Sequence, residues 1–348
     1  MDITIFLILL QDGLLNGAIY ALLGLALVMV FAVTRIIFIP QGEFVTFGAL
    51  TLAFIVNDRM PGTVWLLLIV GIAVALKDLW VLFRQPAAGK PWRVVTILAG
   101  TIGWPVLMLL LTPWVMGRDL PLVVFVLYSL AVVIPLGPML YKLVYQPLAE
   151  ASVLVLLITS VALHFALTGL GLVFFGAEGW RTPAFMQGQM DIFGMMWSAQ
   201  TIFVLVACSV LIGALWLFFG ATLYGRALRA TAVNRRGARL VGISTLMSGR
   251  LTFLLAAAVG AFSGMLIAPV TTIYYDTGFL IGLKGFVGAI IGGLASYPIT
   301  AIGAIFVGIL EAFSSFWASQ YKEVIVFTLI IPVLLWRSFG MLIMDDED

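Results

Sequence analysis

GRALRATAVNRRGARLVGISTLMSGR, Gly225–Arg250, is the one long basic polar island in a chain that is otherwise almost continuously apolar. It holds six of the eighteen Lys and Arg residues, so it cannot lie in lipid, and the positive-inside rule assigns it to the cytoplasm. A membrane protein that concentrates its charge in one cytoplasmic loop offers that loop to a partner.

Around this island the 348-residue chain is 63% hydrophobic and 10% charged. Its mean hydropathy of +1.18 lies far outside the soluble range. About ten apolar runs follow one another, near residues 3–33, 43–56, 64–83, 94–116, 120–140, 152–175, 200–220, 251–274, 279–317 and 323–343. A spanning helix needs about 20 such residues. The runs are apolar all round rather than alternating, which disfavours barrel strands and predicts an all-α, polytopic helical membrane protein. The first and ninth runs exceed one span, and their internal glycines predict broken or re-entrant helices, tolerated at membrane depth only when packed in protein or lining a cavity.

Charge sets the orientation. With the island inside, counting spans also puts Arg35, Arg84, Lys90, Arg93, Lys142 and Arg337 inside, leaving Arg59, Arg118, Arg181 and Lys322 outside. Twelve basic residues inside against four outside give an external N-terminus and a cytoplasmic acidic tail. Lys77 and Lys284 lie too near or within membrane segments to count. The polar stretch Gly176–Met196 then reads as an external loop. The chain begins Met-Asp without a basic n-region, so no cleaved signal peptide is expected.

Several chemistries find no support. Cys208 is the one cysteine, leaving no intrachain disulfide and no CxxC metal or redox motif. His164 is the one histidine, which excludes His-paired zinc motifs and reads as a hydrogen-bonded packing residue. No phosphate-binding G-x-x-x-x-G-K-[ST] occurs. The expectation is therefore no enzyme, no cofactor, no metal site and no nucleic-acid partner, with the lipid bilayer as surroundings.

What remains is ionisable groups in apolar runs, which are costly unless paired or wet. Glu43, Lys284 and Glu311 are the candidates; Asp276 at the external edge is the expected partner of Lys284 across a turn. For Glu311 a structural tie is favoured over solute contact. Gly42, Gly292, Gly293 and Pro298 join them as pore or helix-break candidates, because GAIIGGLASYP, Gly288–Pro298, combines close backbone approach with a proline that cannot continue a helix. Glycines four apart, Gly13 with Gly17, Gly260 with Gly264 and Gly288 with Gly292, read as ordinary bundle packing.

NGAIYALLGLALVMVFAVTR from Asn16, QGEF at Gln41–Phe44, YQPL at Tyr145, the basic island, GLKGFVGAIIGGLASYP from Gly282 and YKEVIVF followed by RSFGML occur in an order that closely resembles the permeases of branched-chain amino-acid ABC transporters. The resemblance is to the first of the two permease subunits and covers nearly the whole chain. It implies one transmembrane permease domain over residues 1–348 in a bacterial inner membrane, importing branched-chain or related amino acids. It further implies a second related permease, two cytoplasmic ATPases and a periplasmic solute-binding protein. Residues 225–250 would hold the coupling helix, with Gly225, Arg226, Arg229, Ala230, Asn234, Ala238, Leu240, Gly242 and Ile243 matching that family's loop and Arg239 adding to its charge.

Departures are equally specific. Arg235 and Arg236 stand where the family usually has Pro and Glu, so an acidic docking groove is expected on the ATPase. Phe38, Ile39, Pro40 and Gln41 replace Asn-Phe-Ala-His. Residues 60–118 read as an inserted helix pair that preserves the parity of the remaining spans. The alternative is an ion-coupled secondary transporter of small organic solutes, which would need no ATPase; two scattered glutamates support it weakly. For the topology, single cysteines at Gln187 and Ser244, with Cys208 replaced, are expected to differ, an impermeant maleimide labelling only position 187 from outside. Equal labelling, or labelling of 244 alone, would refute it.

Overall fold

A computed structural model describes residues 2–84, 91–192 and 195–335. Lys90, Arg337, the RSFGML stretch and the acidic tail lie outside the described residues. The helices are α1 (Ile3–Thr34), α2 (Gln41–Val56), α3 (Gly62–Phe83), α4 (Pro91–Thr101), α5 (Gly103–Val115), α6 (Leu122–Val133), α7 (Leu136–Leu140), α8 (Val153–Phe175), α9 (Ala199–Ala221), α10 (Leu223–Val233), α11 (Arg235–Leu240), α12 (Thr245–Ile267), α13 (Thr277–Ile291), α14 (Tyr297–Trp317) and α15 (Lys322–Thr328). Among the described residues seven helical stretches are long and apolar enough to cross a membrane, and α4 with α5, bent by 44°, forms an eighth candidate. The protein is thus a polytopic helical bundle. α2 and α13 are shorter than a span.

The two long runs behave differently. The first forms one unbroken helix of 32 residues, so the expected break is absent. Its glycines serve packing instead: a Cβ on Gly13 would lie 2.6 Å from the Ile309 Cα, and one on Gly17 2.7 Å from the Ile305 Cα. The ninth run does break, between α13 and α14. Gly293 and Leu294 both take positive φ there, 67° and 56°. Their N–H groups donate to the Ile290 and Ala289 carbonyls, satisfying backbone acceptors that the helix end would leave open.

The stretch that begins at Gly176 carries regular structure where a loop was expected. Strands β1 (Gln189–Ile192) and β2 (Met195–Ser198) pair antiparallel, and Trp180 bridges to Ile273 after α12. This hairpin marks one end of the bundle, and α10 and α11 mark the other, here termed the hairpin end and the basic end.

In lipid, apolar surface alone does not drive helices together, so close backbone approach carries much of the packing. α12 and α2 meet at Gly264, where a Cβ would fall 1.9 Å from the Val45 carbonyl oxygen, and at Gly48, 2.4 Å from that of Ala261. α2 meets α13 where Gly42 and Gly278 face each other, each leaving room for the other's carbonyl. The buried core, with Phe38, Phe44, Tyr145 and Phe253 in mutual ring contact, sits among α2, α12 and the turn after α7.

A Cβ on Gly292 would lie 2.0 Å from the Thr300 Oγ1, and Gly293 holds φ +67°. Gly292→Leu and Gly293→Leu are therefore expected to cost about 1–3 kcal/mol or more and to lower the melting temperature in detergent. Gly213→Leu, which meets open space on α9, should leave it unchanged; equal melting for all three would contradict this packing.

Candidate functional site

Helical periodicity places Asp12, Asn16 and Tyr20, four residues apart, on one face of the otherwise apolar α1. That face turns toward Lys284 of α13, Glu311 of α14 and Glu323 of α15. The Lys284 Nζ donates to Glu311 Oε1 at 2.5 Å and to Glu323 Oε1 at 3.0 Å. The Tyr20 hydroxyl donates to Glu311 Oε2 at 2.5 Å. Lys284 and Glu311 are buried, so both charges depend on this pairing. Asp276 is not the partner of Lys284: it lines the same space, but the ion pairs go to Glu311 and Glu323.

These groups form one wall of a cavity of about 960 Å³ at the hairpin end. Asn16, Thr271, Thr277 and Tyr274 add neutral polar groups to it, and Leu15, Phe279 and Ile281 an apolar surface. A mixed polar and apolar cavity with a few fixed charges suits a small polar solute.

Glu43 lies elsewhere. His164, at the midpoint of α8, holds its Nδ1 2.6 Å from Glu43 Oε1, and Thr168 donates to the same oxygen at 3.2 Å. The Phe279 ring stacks on the imidazole at 4.2 Å between centroids. Phe279 therefore separates this buried pair from the cavity it also lines. His164 is hydrogen-bonded and packed, as expected. Gly42 is a packing glycine against α13, and Gly292, Gly293 and Pro298 sit at the helix break, not in the cavity wall.

At the basic end, the polar island is largely helical. Thr222 caps α10 through Oγ1 to the Gly225 N–H at 2.9 Å, and Asn234 caps α11 through Oδ1 to the Gly237 N–H at 2.9 Å. Gly225 is required where α9 turns into α10, since a Cβ would lie 2.2 Å from the Phe218 carbonyl oxygen, and Gly242 ends the island's second helix at φ +86°. Arg226 donates to the Ala221 carbonyl and Arg239 to the Thr245 hydroxyl. Arg235 and Arg236 open α11, and Arg229 and Arg236 are exposed.

A groove of about 580 Å³ runs between this island and Gln146, Pro147 and Glu150, so YQPL borders it. Leu240 and Val233 are 89% and 86% exposed, and Val241 75%. Apolar side chains standing free among arginines, away from the apolar spans, form a surface fit for a protein partner. Glu323, Asp12 and Asn16 escaped the sequence reading, although the four-residue polar spacing on α1 was the available signal.

Residues 99–334 match the family described as branched-chain amino acid transport system / permease component. The chain is similar to the high-affinity branched-chain amino acid transport system permease protein BraD of Pseudomonas aeruginosa, 29% identical over 237 residues, covering 65% of this chain and 77% of that protein. It is 25% identical over 341 residues to the corresponding permease protein LivH of Escherichia coli K12, covering 95% of this chain and 93% of that one. A probable branched-chain amino acid transport permease protein of Methanocaldococcus jannaschii is 27% identical over 232 residues, 61% of this chain and 73% of that protein.

Removing one partner of a buried ion pair costs about 3–5 kcal/mol because the other charge is left unpaired. Lys284→Met is thus expected to lower the melting temperature sharply, and adding Glu311→Gln to recover part of the loss. A single variant melting like the parent would show that the cluster carries no structural load.

Proposed function

The chain belongs to the permease-component family of branched-chain amino acid transport systems, and from that membership we propose that it lines half of the solute path of an ATP-driven importer in a bacterial inner membrane. Permeases of this family act in ABC systems with ATPase and solute-binding partners. Here the partners are a second related permease that closes the open side of the cavity, two cytoplasmic ATPases and a periplasmic solute-binding protein. The solute is a branched-chain or related amino acid, as the names of the relatives state for those proteins. Residues 60–118 are an insertion of two spans in the permease domain, α3 and the bent pair α4–α5.

The observation that carries this reading is the basic end. α10 and α11 present exposed Val233, Leu240 and Val241 beside Arg229 and Arg236, the form a docking helix takes before an acidic groove receives it. From there a continuous packed route leads to the cavity. α11 passes through Gly242 into α12, α12 is locked to α2 at Gly264 and Gly48, and α2 is locked to α13 at Gly42 and Gly278. α13 carries Lys284 and Phe279, which line the cavity. Close-packed backbone contacts transmit displacement instead of absorbing it, so ATPase closure against α11 reaches the cavity wall.

Two positive side chains at the start of α11 each disfavour the helix by up to about 1 kcal/mol; an acidic ATPase groove offsets that. Reversing both with Arg235→Glu and Arg236→Glu is expected to reduce ATPase co-purification, or to uncouple ATP hydrolysis from uptake, with partial rescue by acidic-to-Lys changes in the groove. Uptake driven by an ion gradient without ATP, or association and uptake unchanged in the double reversal, would contradict this docking.

A further inference from the structure

Leu25 and Met29 of α1, Leu215 and Phe219 of α9 and Ala301 of α14 wall a groove of about 440 Å³. The other ends of α1 and α14 line the cavity at the hairpin end, so this groove lies at the basic end. On α9 its lining runs from Ile212 to Gly220, about 12 Å at the rise of an α-helix. α9 is the least buried of the spanning helices among the described residues, so the groove opens toward lipid and not into the bundle. Trp216 lines it while 78% exposed, the amphipathic ring that membrane–water interfaces favour.

Two polar groups interrupt the apolar lining: Arg229, reaching in from α10, and the Tyr297 hydroxyl at the start of α14. Arg229 is exposed, and neither group has a hydrogen-bond or ion-pair partner among the described residues. Among those residues no carboxylate lines the groove. An apolar slot that ends in an unanswered cation has the order of an amphiphile, with a chain first and then an anionic head. A small water-soluble anion answers the guanidinium and leaves the slot unfilled. A zwitterionic lipid fills the slot but brings an ammonium toward Arg229. The cytoplasmic leaflet, to which the positive-inside rule assigns the basic end, is also the leaflet whose surface anionic lipids charge.

We propose that this groove is a site for an anionic phospholipid, with an acyl chain between α1, α9 and α14, the headgroup phosphate on Arg229 and the Tyr297 hydroxyl as a further donor. The site stands apart from the solute path at the hairpin end. It stands apart from the docking arginines as well, because Arg235 and Arg236 do not line the groove.

The test uses the complete permease–ATPase complex in nanodiscs of equal parts phosphatidylglycerol and phosphatidylcholine. Trp216 is replaced by the photocrosslinking residue p-benzoyl-L-phenylalanine, an aromatic of similar bulk, and the adducts are identified by mass spectrometry. The same residue in place of Val173, 77% exposed on α8 and outside the groove, is the control. At position 216 phosphatidylglycerol adducts are expected to exceed phosphatidylcholine adducts by about fivefold, the effect of one basic side chain on an anionic headgroup; at position 173 the two should be equal. Arg229→Gln should return position 216 to equality, whereas Arg226→Gln, whose arginine bonds the Ala221 carbonyl outside the groove, should keep the enrichment. ATPase co-purification reports assembly. Should Arg229→Gln fail to assemble, the enrichment at position 216 over position 173 decides alone. Equal adducts at position 216, enrichment that survives Arg229→Gln, or adducts with the second permease in place of lipid overturn the site.

Discussion

A single buried ammonium, that of Lys284, imposes the constraint on which the arrangement of this bundle depends. A charge in an apolar bundle persists only when paired. Lys284 finds its partners on two other helices, Glu311 on α14 and Glu323 on α15, while Tyr20 draws α1 into the same network through Glu311. α13, too short to span a membrane by itself, is thereby pinned among three neighbours. The network also keeps polar groups at one face of a cavity that apolar side chains would otherwise fill.

Glycine supplies the complementary constraint. Where lipid solvates apolar side chains as well as protein does, helices gain by bringing backbones close. Gly13, Gly17 and Gly308 let α1 and α14 approach so nearly that a methyl group at any of them would overlap the facing chain. The same device joins α12 to α2 and α2 to α13. The ion cluster decides what the cavity wall presents, and the glycine contacts pack α12, which leaves the basic end, against α2, and α2 against α13 of that wall.

Much of this was legible in the amino-acid order. Continuous apolar runs announced the helical membrane class, and Gly292, Gly293 and Pro298 announced the break between α13 and α14, because conformational freedom and a missing N–H act locally. Lys284 and Glu311 stood out by the cost of charge in apolar runs. Their pairing did not: Asp276 is nearer to Lys284 in sequence, yet the ammonium turns to Glu311 and Glu323, 27 and 39 residues away. Glu43 and His164 meet across 121 residues, a separation that no periodicity reports. The continuity of α1 was misread because a glycine that packs and a glycine that breaks look alike until the facing helix is known. The basic end was visible as charge, whereas the exposure of Val233, Leu240 and Val241 needed the fold.

The most direct measurement of whether the cavity beside Lys284 is the solute path is modification of a wall residue that takes no part in the ion cluster. In the complete importer, with Cys208 replaced, Asn16→Cys would be treated with a small water-soluble thiosulfonate, and Val206→Cys on the exposed face of α9 would serve as control. If the cavity carries the solute, modification at position 16 blocks ATP-dependent uptake, proceeds at a rate that changes when the ATPases are locked in their ATP-bound state, and slows in the presence of solute-loaded binding protein. Full modification at position 16 with uptake undiminished would place the path elsewhere.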